Sequence, residues 1–211
     1  MTVKTFIFNP VQENTYVVFD ESKEAVIIDA GCIFENEYRQ IDTFIEYNNL
    51  KIKHLLNTHL HFDHILGSRY IAKKYNVPLE AHLSDEFMID TLGQTLESFG
   101  VNLNVEAQPI GKYLAENEVI KFGNSEFKVL LVPGHSPGSL CFYCQKEGIL
   151  FSGDVLFRGT IGRTDLPYGD YDMLIENIKE QLMILPGSTI VYSGHGAETT
   201  INEESRNNPY L

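Results

Sequence analysis

The sequence predicts an α+β fold, a single domain over residues 1–211 built from two αβ halves with sheets in the middle and helices outside. Three observations carry that expectation. Short runs rich in Val, Ile and Phe are interleaved with longer runs of helical spacing. The second half repeats the plan of the first. No low-complexity linker divides the chain. With 211 residues, 43% of them apolar, and Gly and Pro in ordinary proportion, the chain can bury a large core.

Residues 3–8, 14–19 and 24–29 read as strands separated by polar turns such as Asp20-Glu21-Ser22-Lys23, a meander more than a βαβ unit. Residues 35–49 follow as a helix, because Ile41, Phe44 and Ile45 recur at helical spacing. His54 to Asn57 is a short strand. A helix over 64–75 uses Ile65, Tyr70 and Ile71 as inner contacts. A strand over 77–82 and a helix over 84–98, ended by Gly100, complete the first half. Residues 100–118 read as mostly irregular. In the second half, 119–120, 126–132, 139–144, 148–152 and 189–193 read as strands. A helix over 171–184 is closed by Pro186-Gly187, and 198–207 reads as a final short helix capped by Thr199 or Thr200.

Formal net charge is -13, which argues against nonspecific binding to nucleic acid or to an anionic membrane surface, since either needs positive charge. An anionic small molecule needs only one or two local cations. The N-terminus lacks the shape of a signal peptide, and no apolar run reaches the length of a membrane span, so the expected location is the cytoplasm. Cys32, Cys141 and Cys144 make no disulfide framework, as a reducing compartment would have it. Cys141 and Cys144 spell CxxC, but in a strand, where the two face opposite ways. Redox pairs normally open a helix. The N-terminal sheet edge leaves room for a homo-oligomer.

The chemistry concentrates in Thr58-His59-Leu60-His61-Phe62-Asp63-His64. In an extended segment His59 and His61 point the same way and can reach one metal ion. Asp63 and His64 follow at a strand-to-helix turn, where a change of side-chain direction lets them reach a second. His135 lies in Pro133-Gly134-His135-Ser136-Pro137-Gly138, a loop tightened by Gly and Pro. Asp154 and His195 each follow a further strand. Four strand ends thus deliver seven candidate ligands, while His54 and His82 read as ordinary residues. Imidazole and carboxylate without thiolate favour two divalent ions, with Zn first and Fe or Mn as alternatives, and disfavour Ca.

The same residues resemble the metallo-β-lactamase superfamily, and within it the glyoxalase II-like hydrolases, over nearly the whole chain. The resemblance runs through Thr58–His64 with Gly67, Pro133–Ser139, Gly153–Phe157, Gly162–Asp165, and Gly194-His195-Gly196 with Thr199. It is strongest to the compact hydroxyacylglutathione-hydrolase-like proteins. It implies an αββα sandwich of two mixed sheets with the metals at one edge. It assigns His59, His61 and His135 to one ion, Asp63, His64 and His195 to the other, and Asp154 to both. The chain runs about 16 residues past His195. A C-terminal helical glutathione-binding domain is therefore not expected.

The implied activity is hydrolysis of a thioester, S-D-lactoylglutathione or a similar acyl-thiol, by a metal-bridging hydroxide that Asp63 helps to orient. A thiolate leaves readily, so no strong general acid is needed. Arg158 and Arg163, near Asp154, are candidates to pair with a substrate carboxylate. Arg163 has a competing reading as a structural partner of Asp165. Tyr143 is a candidate substrate contact because glutathione-handling relatives use a Tyr in this region, and its competing reading is a strand aromatic. Other readings are a mononuclear-iron persulfide dioxygenase, a non-glutathione (thio)esterase, a β-lactamase and a nuclease. No GxGxxG or Walker A pattern implies a nucleotide.

Overall fold

A computed structural model describes residues 1–101, 103 and 105–211. The first sheet is six-stranded, in the order β1 (Thr2–Phe8), β2 (Glu13–Phe19), β3 (Glu24–Ile28), β4 (Lys51–Leu56), β5 (Leu79–Ala81), β6 (Ile110–Tyr113). Its first three strands form the expected antiparallel meander, and β3 to β6 run parallel. The second sheet collects β7 (Val119–Phe122), β8 (Ser125–Leu131), β9 (Leu140–Cys144), β10 (Ile149–Gly153), β13 (Ile190–Ser193) and β14 (Thr199–Thr200). Only β10 and β13 are parallel neighbours there. A two-stranded hairpin, β11 (Leu156–Phe157) with β12 (Thr160–Ile161), stands apart.

Side-chain alternation divides the core into three apolar layers. On β2 and β3, Val17, Phe19, Ala25 and Ile27 face outward. They meet Ile41 and Ile45 of α1 (Glu35–Tyr47), Ile71 of α3 (Ser68–Tyr75) and Leu92 and Leu96 of α5 (Leu92–Ser98). Tyr16, Val18, Val26 and Ile28 face inward, onto Phe127, Val129, Phe142 and Phe151 of the second sheet. On the far side Leu130, Cys141, Tyr143, Leu150 and Val191 pack under Leu174 of α6 (Tyr171–Asn177) and Ile178, Leu182 and Ile201. This is an αββα sandwich. It explains why β2, β9 and β10 are buried along their whole length, and why β9 reads as a continuous apolar run.

Several elements differ from the sequence expectation. The helix expected over 64–75 is two: α2 (Phe62–Ile65) and α3, broken at Leu66-Gly67. Gly67 donates its N–H to the Ala30 carbonyl at 2.7 Å, and any Cβ there would overlap the Cys32 Sγ and carbonyl. The helix expected over 84–98 is a 3₁₀ turn (Leu83–Asp85), α4 (Phe87–Asp90) and α5. The 171–184 helix ends as α6 and continues as a π-helical turn over Ile178–Leu182. Within the stretch expected to be irregular, 102 and 104 lie outside the described residues, while 110–113 add strand β6. The last helix, α7 (Ile201–Asn207), is capped by Thr200, whose Oγ1 accepts from the Glu203 N–H at 3.2 Å.

Candidate metal centre

Strands β3, β4, β8, β10 and β13 run in one sense within their sheets, so their C-terminal ends meet along one edge of the sandwich. The main chain locks the edge together: Leu140 N–H donates to the Thr58 carbonyl (2.7 Å), and Gly194 N–H to that of Gly153 (2.8 Å). Seven side chains named from the sequence converge there: His59, His61, Asp63, His64, His135, Asp154 and His195. His59, His61 and His135 form one cluster. The His135 Nε2 lies 2.9 Å from the His61 Nδ1 and 3.3 Å from the His59 Nε2. Asp63, His64 and His195 form the second, with the Asp63 Oδ2 at 3.2 Å from the His195 Nε2 and 3.7 Å from the His64 Nε2. Asp154 lies between them. Its Oδ1 is 3.5 Å from the His64 Nε2, and its Oδ2 is 3.7 Å from the Nε2 atoms of both His135 and His195.

The outward ring nitrogens are held by anchors. The Asp29 Oδ2 lies 3.1 Å from the His64 Nδ1 and accepts from the Thr58 hydroxyl at 2.7 Å. That hydroxyl oxygen accepts in turn from the His59 Nδ1–H at 3.0 Å. The His135 Nδ1–H donates to the Arg163 carbonyl at 2.8 Å. With Nδ1 used as a donor, His59 and His135 point lone pairs at each other, an arrangement that a shared cation makes favourable. The buried His64 Nε2 and Asp154 Oδ1 have no hydrogen-bond partner among the described residues. Leaving two such atoms unpaired costs about 1–3 kcal/mol each, so their donor set fits a cation. The two clusters and the carboxylate between them fit two divalent ions.

Electrostatics agree with that fit at the His59–His61–His135 cluster and at the two carboxylates, whereas at His64 and His195 an ion would have to displace a proton. Burial, reinforced by neighbouring imidazoles, pushes His59 well below the ordinary histidine range and His61 down to about 3. His135 is also lowered by burial. These rings are neutral at pH 7, as metal binding requires. For Asp63 and Asp154 burial acts to raise the carboxyl, and the combined pull of the surrounding imidazoles, His64 first, outweighs it. Both are ionised. His64 and His195 are raised, because the adjacent carboxylates outweigh the effect of burial.

The anchors escaped the sequence reading. Asp29 left a signal, a carboxylate directly after an apolar strand, as at Asp154. Its left-handed backbone (φ 53°) turns the side chain back toward His64. Asp85 left none. Fully buried, it accepts from the Gly138 N–H (2.6 Å), the Ser136 hydroxyl (2.8 Å) and the Leu60 N–H (3.3 Å), clamping the His135 loop to the His59–His61 loop. The Asn9 side chain donates to the Asp63 carbonyl at 2.9 Å, holding the β1–β2 loop over the edge.

Two expected substrate contacts are corrected. Tyr143 lies on the outer face of β9 beside Cys141, buried beneath α6, so it is a core aromatic. Odd positions of β9 face the helices and even ones the inner layer, which also sends Cys141 and Cys144 into different layers. The Arg163 guanidinium forms a two-pronged pair with Asp165 (2.7 and 2.8 Å) in solvent. Only its carbonyl serves the site. Arg158 is exposed at the tip of the β11–β12 hairpin and makes no hydrogen bond or ion pair among the described residues. His54 pairs with the buried Glu80 at 2.5 Å, away from the cluster, and His82 caps the 3₁₀ turn.

Comparison with known proteins agrees with the geometry. The family description of the metallo-beta-lactamase superfamily matches residues 8–195. Hydroxyacylglutathione hydrolase GloC of Haemophilus influenzae is 35% identical, over 100% of this chain and 98% of its own. Among solved structures, BLEG-1 B3 metallo-beta-lactamase superimposes with a TM-score of 0.90 at 37% identity, covering 100% of this chain and 99% of its own. TTHA1623 in a di-iron-bound form superimposes with a TM-score of 0.86 at 34% identity, each chain fully covered. With the sandwich, the edge cluster and a match spanning nearly its whole length, the chain belongs to the metallo-β-lactamase superfamily, and it is a metallo-hydrolase.

Proposed function

We propose that this metallo-hydrolase cleaves a thioester, with S-D-lactoylglutathione or a similar acyl-thiol as substrate. The observation that carries the reading is Asp154 shared between two three-donor clusters, joined to full-length similarity with a hydroxyacylglutathione hydrolase. His59, His61 and His135 would hold one ion, Asp63, His64 and His195 the other, and Asp154 would be shared by both. Zinc is the leading metal, since imidazole dominates the set. When bound, such ions supply Lewis acidity and make hydroxide available near neutral pH. The ionised Asp63, buried beside His195, accepts a hydrogen bond from the attacking water and orients it. Asp29, Thr58 and the Arg163 carbonyl keep the imidazoles from turning. Arg158, exposed and without a partner among the described residues, meets a carboxylate of the thiol portion. The thiolate leaves without a strong acid. The acidic chain acts on a small molecule in the cytoplasm, not on nucleic acid. No helix among the described residues is long and apolar enough to cross a membrane.

The test is hydrolysis of S-D-lactoylglutathione by protein whose metal content is counted in the same preparation. Turnover should track two ions per chain and fall at least 100-fold in Asp154→Ala. A fully active, metal-free Asp154→Ala protein would sink the mechanism. Full loading without turnover would reject this substrate. A single iron with oxygen uptake on glutathione persulfide would replace hydrolysis by oxidation. Similarity to a B3 metallo-beta-lactamase makes nitrocefin the second substrate to run.

A further inference from the structure

Strand β2 opens with Glu13-Asn14-Thr15-Tyr16, all buried, against the Asp63–His64–His195 half of the centre. Alternation sends these side chains to opposite sides. Glu13 and Thr15 face the His64 side: the Thr15 hydroxyl donates to the Glu13 Oε2 (2.8 Å) and accepts from the Gly31 N–H (3.0 Å), and Glu13, Asp29 and His64 cluster together. Asn14 and Tyr16 face the loop that carries His195. The Asn14 Nδ2 donates to the Ser193 carbonyl (3.0 Å) and to the Gly196 carbonyl (2.9 Å), bracketing His195 on both sides. The Tyr16 hydroxyl donates to the same Ser193 carbonyl at 2.5 Å, and the Asn14 N–H to the Gly194 carbonyl at 2.7 Å.

His195 needs that bracketing. It lies past the end of β13, and its side chain is 26% exposed where that of His64 is fully buried. Neighbouring side chains confine it less than the other imidazole of its cluster. Its own Nδ1 is 3.1 and 3.2 Å from the Val11 and Gln12 carbonyls, just ahead of β2. One short segment of the first sheet therefore holds a ligand delivered by the second.

We propose that Asn14 and Tyr16 are positioning residues for His195, setting how tightly the Asp63–His64–His195 half of the centre holds its cation without touching it. The inference rests on the two-ion reading of the donor set and not on the substrate. The experiment titrates Zn into metal-free protein against a competing chelator, with metal counted per chain and thermal unfolding followed in parallel. Asn14→Asp keeps the shape but turns two donors into acceptors facing carbonyls; Tyr16→Phe removes one hydroxyl. Wild type should take up two ions. Each variant should keep one at wild-type affinity and hold the other about 10- to 100-fold more weakly, the range for partners that orient a ligand. Ile41→Val, in the helical layer away from the centre, supplies a stability control with both affinities unchanged. Two ions bound with wild-type affinity in both variants, or both ions weakened in step with the melting temperature, would overturn the assignment. A wild type that binds one ion only would remove its premise, and that failure is visible before any variant is compared.

Discussion

At the scale of single residues, the centre depends on what each imidazole does with its second nitrogen. Asp29, the Thr58 hydroxyl and the Arg163 carbonyl fix three rings from behind. The two arginines near Asp154 have opposite fates. Arg163 spends its guanidinium on Asp165, an exposed pair of the kind that contributes little to stability. Arg158 has no hydrogen-bond or ion-pair partner among the described residues. Arg158→Ala is expected to raise KM for an anionic thioester about tenfold, the effect of one charge-assisted hydrogen bond of about 1.4 kcal/mol. Arg163→Ala should leave KM within about twofold. Steady-state kinetics on the two variants checks both, and equal KM changes would count against the division. The local spacing of His59, His61, Asp63 and His64 was legible because the four candidate ligands fall within six positions. Asp85 was not, because its partners Leu60, Ser136 and Gly138 are far from it along the chain.

At the scale of elements, periodicity found most strands and helices, and contacts between elements corrected their ends. The break between α2 and α3 comes from Gly67 pressed against Cys32, which no local pattern announces. Strand β6 escaped notice because four residues at a sheet edge, three of them exposed, carry little apolar signal. The outer helices are tied by Asp42 of α1, which accepts from the Tyr70 and Tyr75 hydroxyls (2.5 and 2.7 Å) and pairs with Lys74. Burial works to raise this carboxyl, but those partners together hold it below its ordinary range. A depressed carboxylate contributes stability that is present above its unfolded pKa and lost as pH falls through the folded one. Asp42→Asn should therefore cost about 1 kcal/mol at pH 7, discounted for solvent screening. The difference from wild type should shrink as pH falls through the depressed pKa of Asp42. Urea unfolding of both metal-free proteins at pH 7 and pH 3 checks the sign, and a difference that grows in acid would contradict it.

At the scale of the whole molecule, three apolar layers support two facing sheets whose strand ends crowd acidic and imidazole groups onto one edge. The buried His64 Nε2 and Asp154 Oδ1, without partners among the described residues, are a cost that bound ions would relieve, which links metal to fold. Chelation is expected to lower the melting temperature, and re-addition of Zn to restore it. At an ion concentration about 100 times the dissociation constant the linkage is about 2.7 kcal/mol. Thermal scans with and without chelator measure it. A melting temperature indifferent to chelation, with metal loss verified, would refute the link.

The sequence by itself determined the class of fold, the layering of apolar runs, and the set of candidate ligands, because each rests on local periodicity or on residues crowded within a few positions. The grouping of the donors and the shared place of Asp154 were implied by the family resemblance, not by spacing; only the tertiary structure supplied their distances, and it alone decided that Tyr143 faces the core and that Arg163 serves through its carbonyl. The reason is physical: direction and partnership at a strand end are set by the neighbouring strand and the loop packed over it. Asn14 of one sheet bracketing His195 of the other is the plainest case.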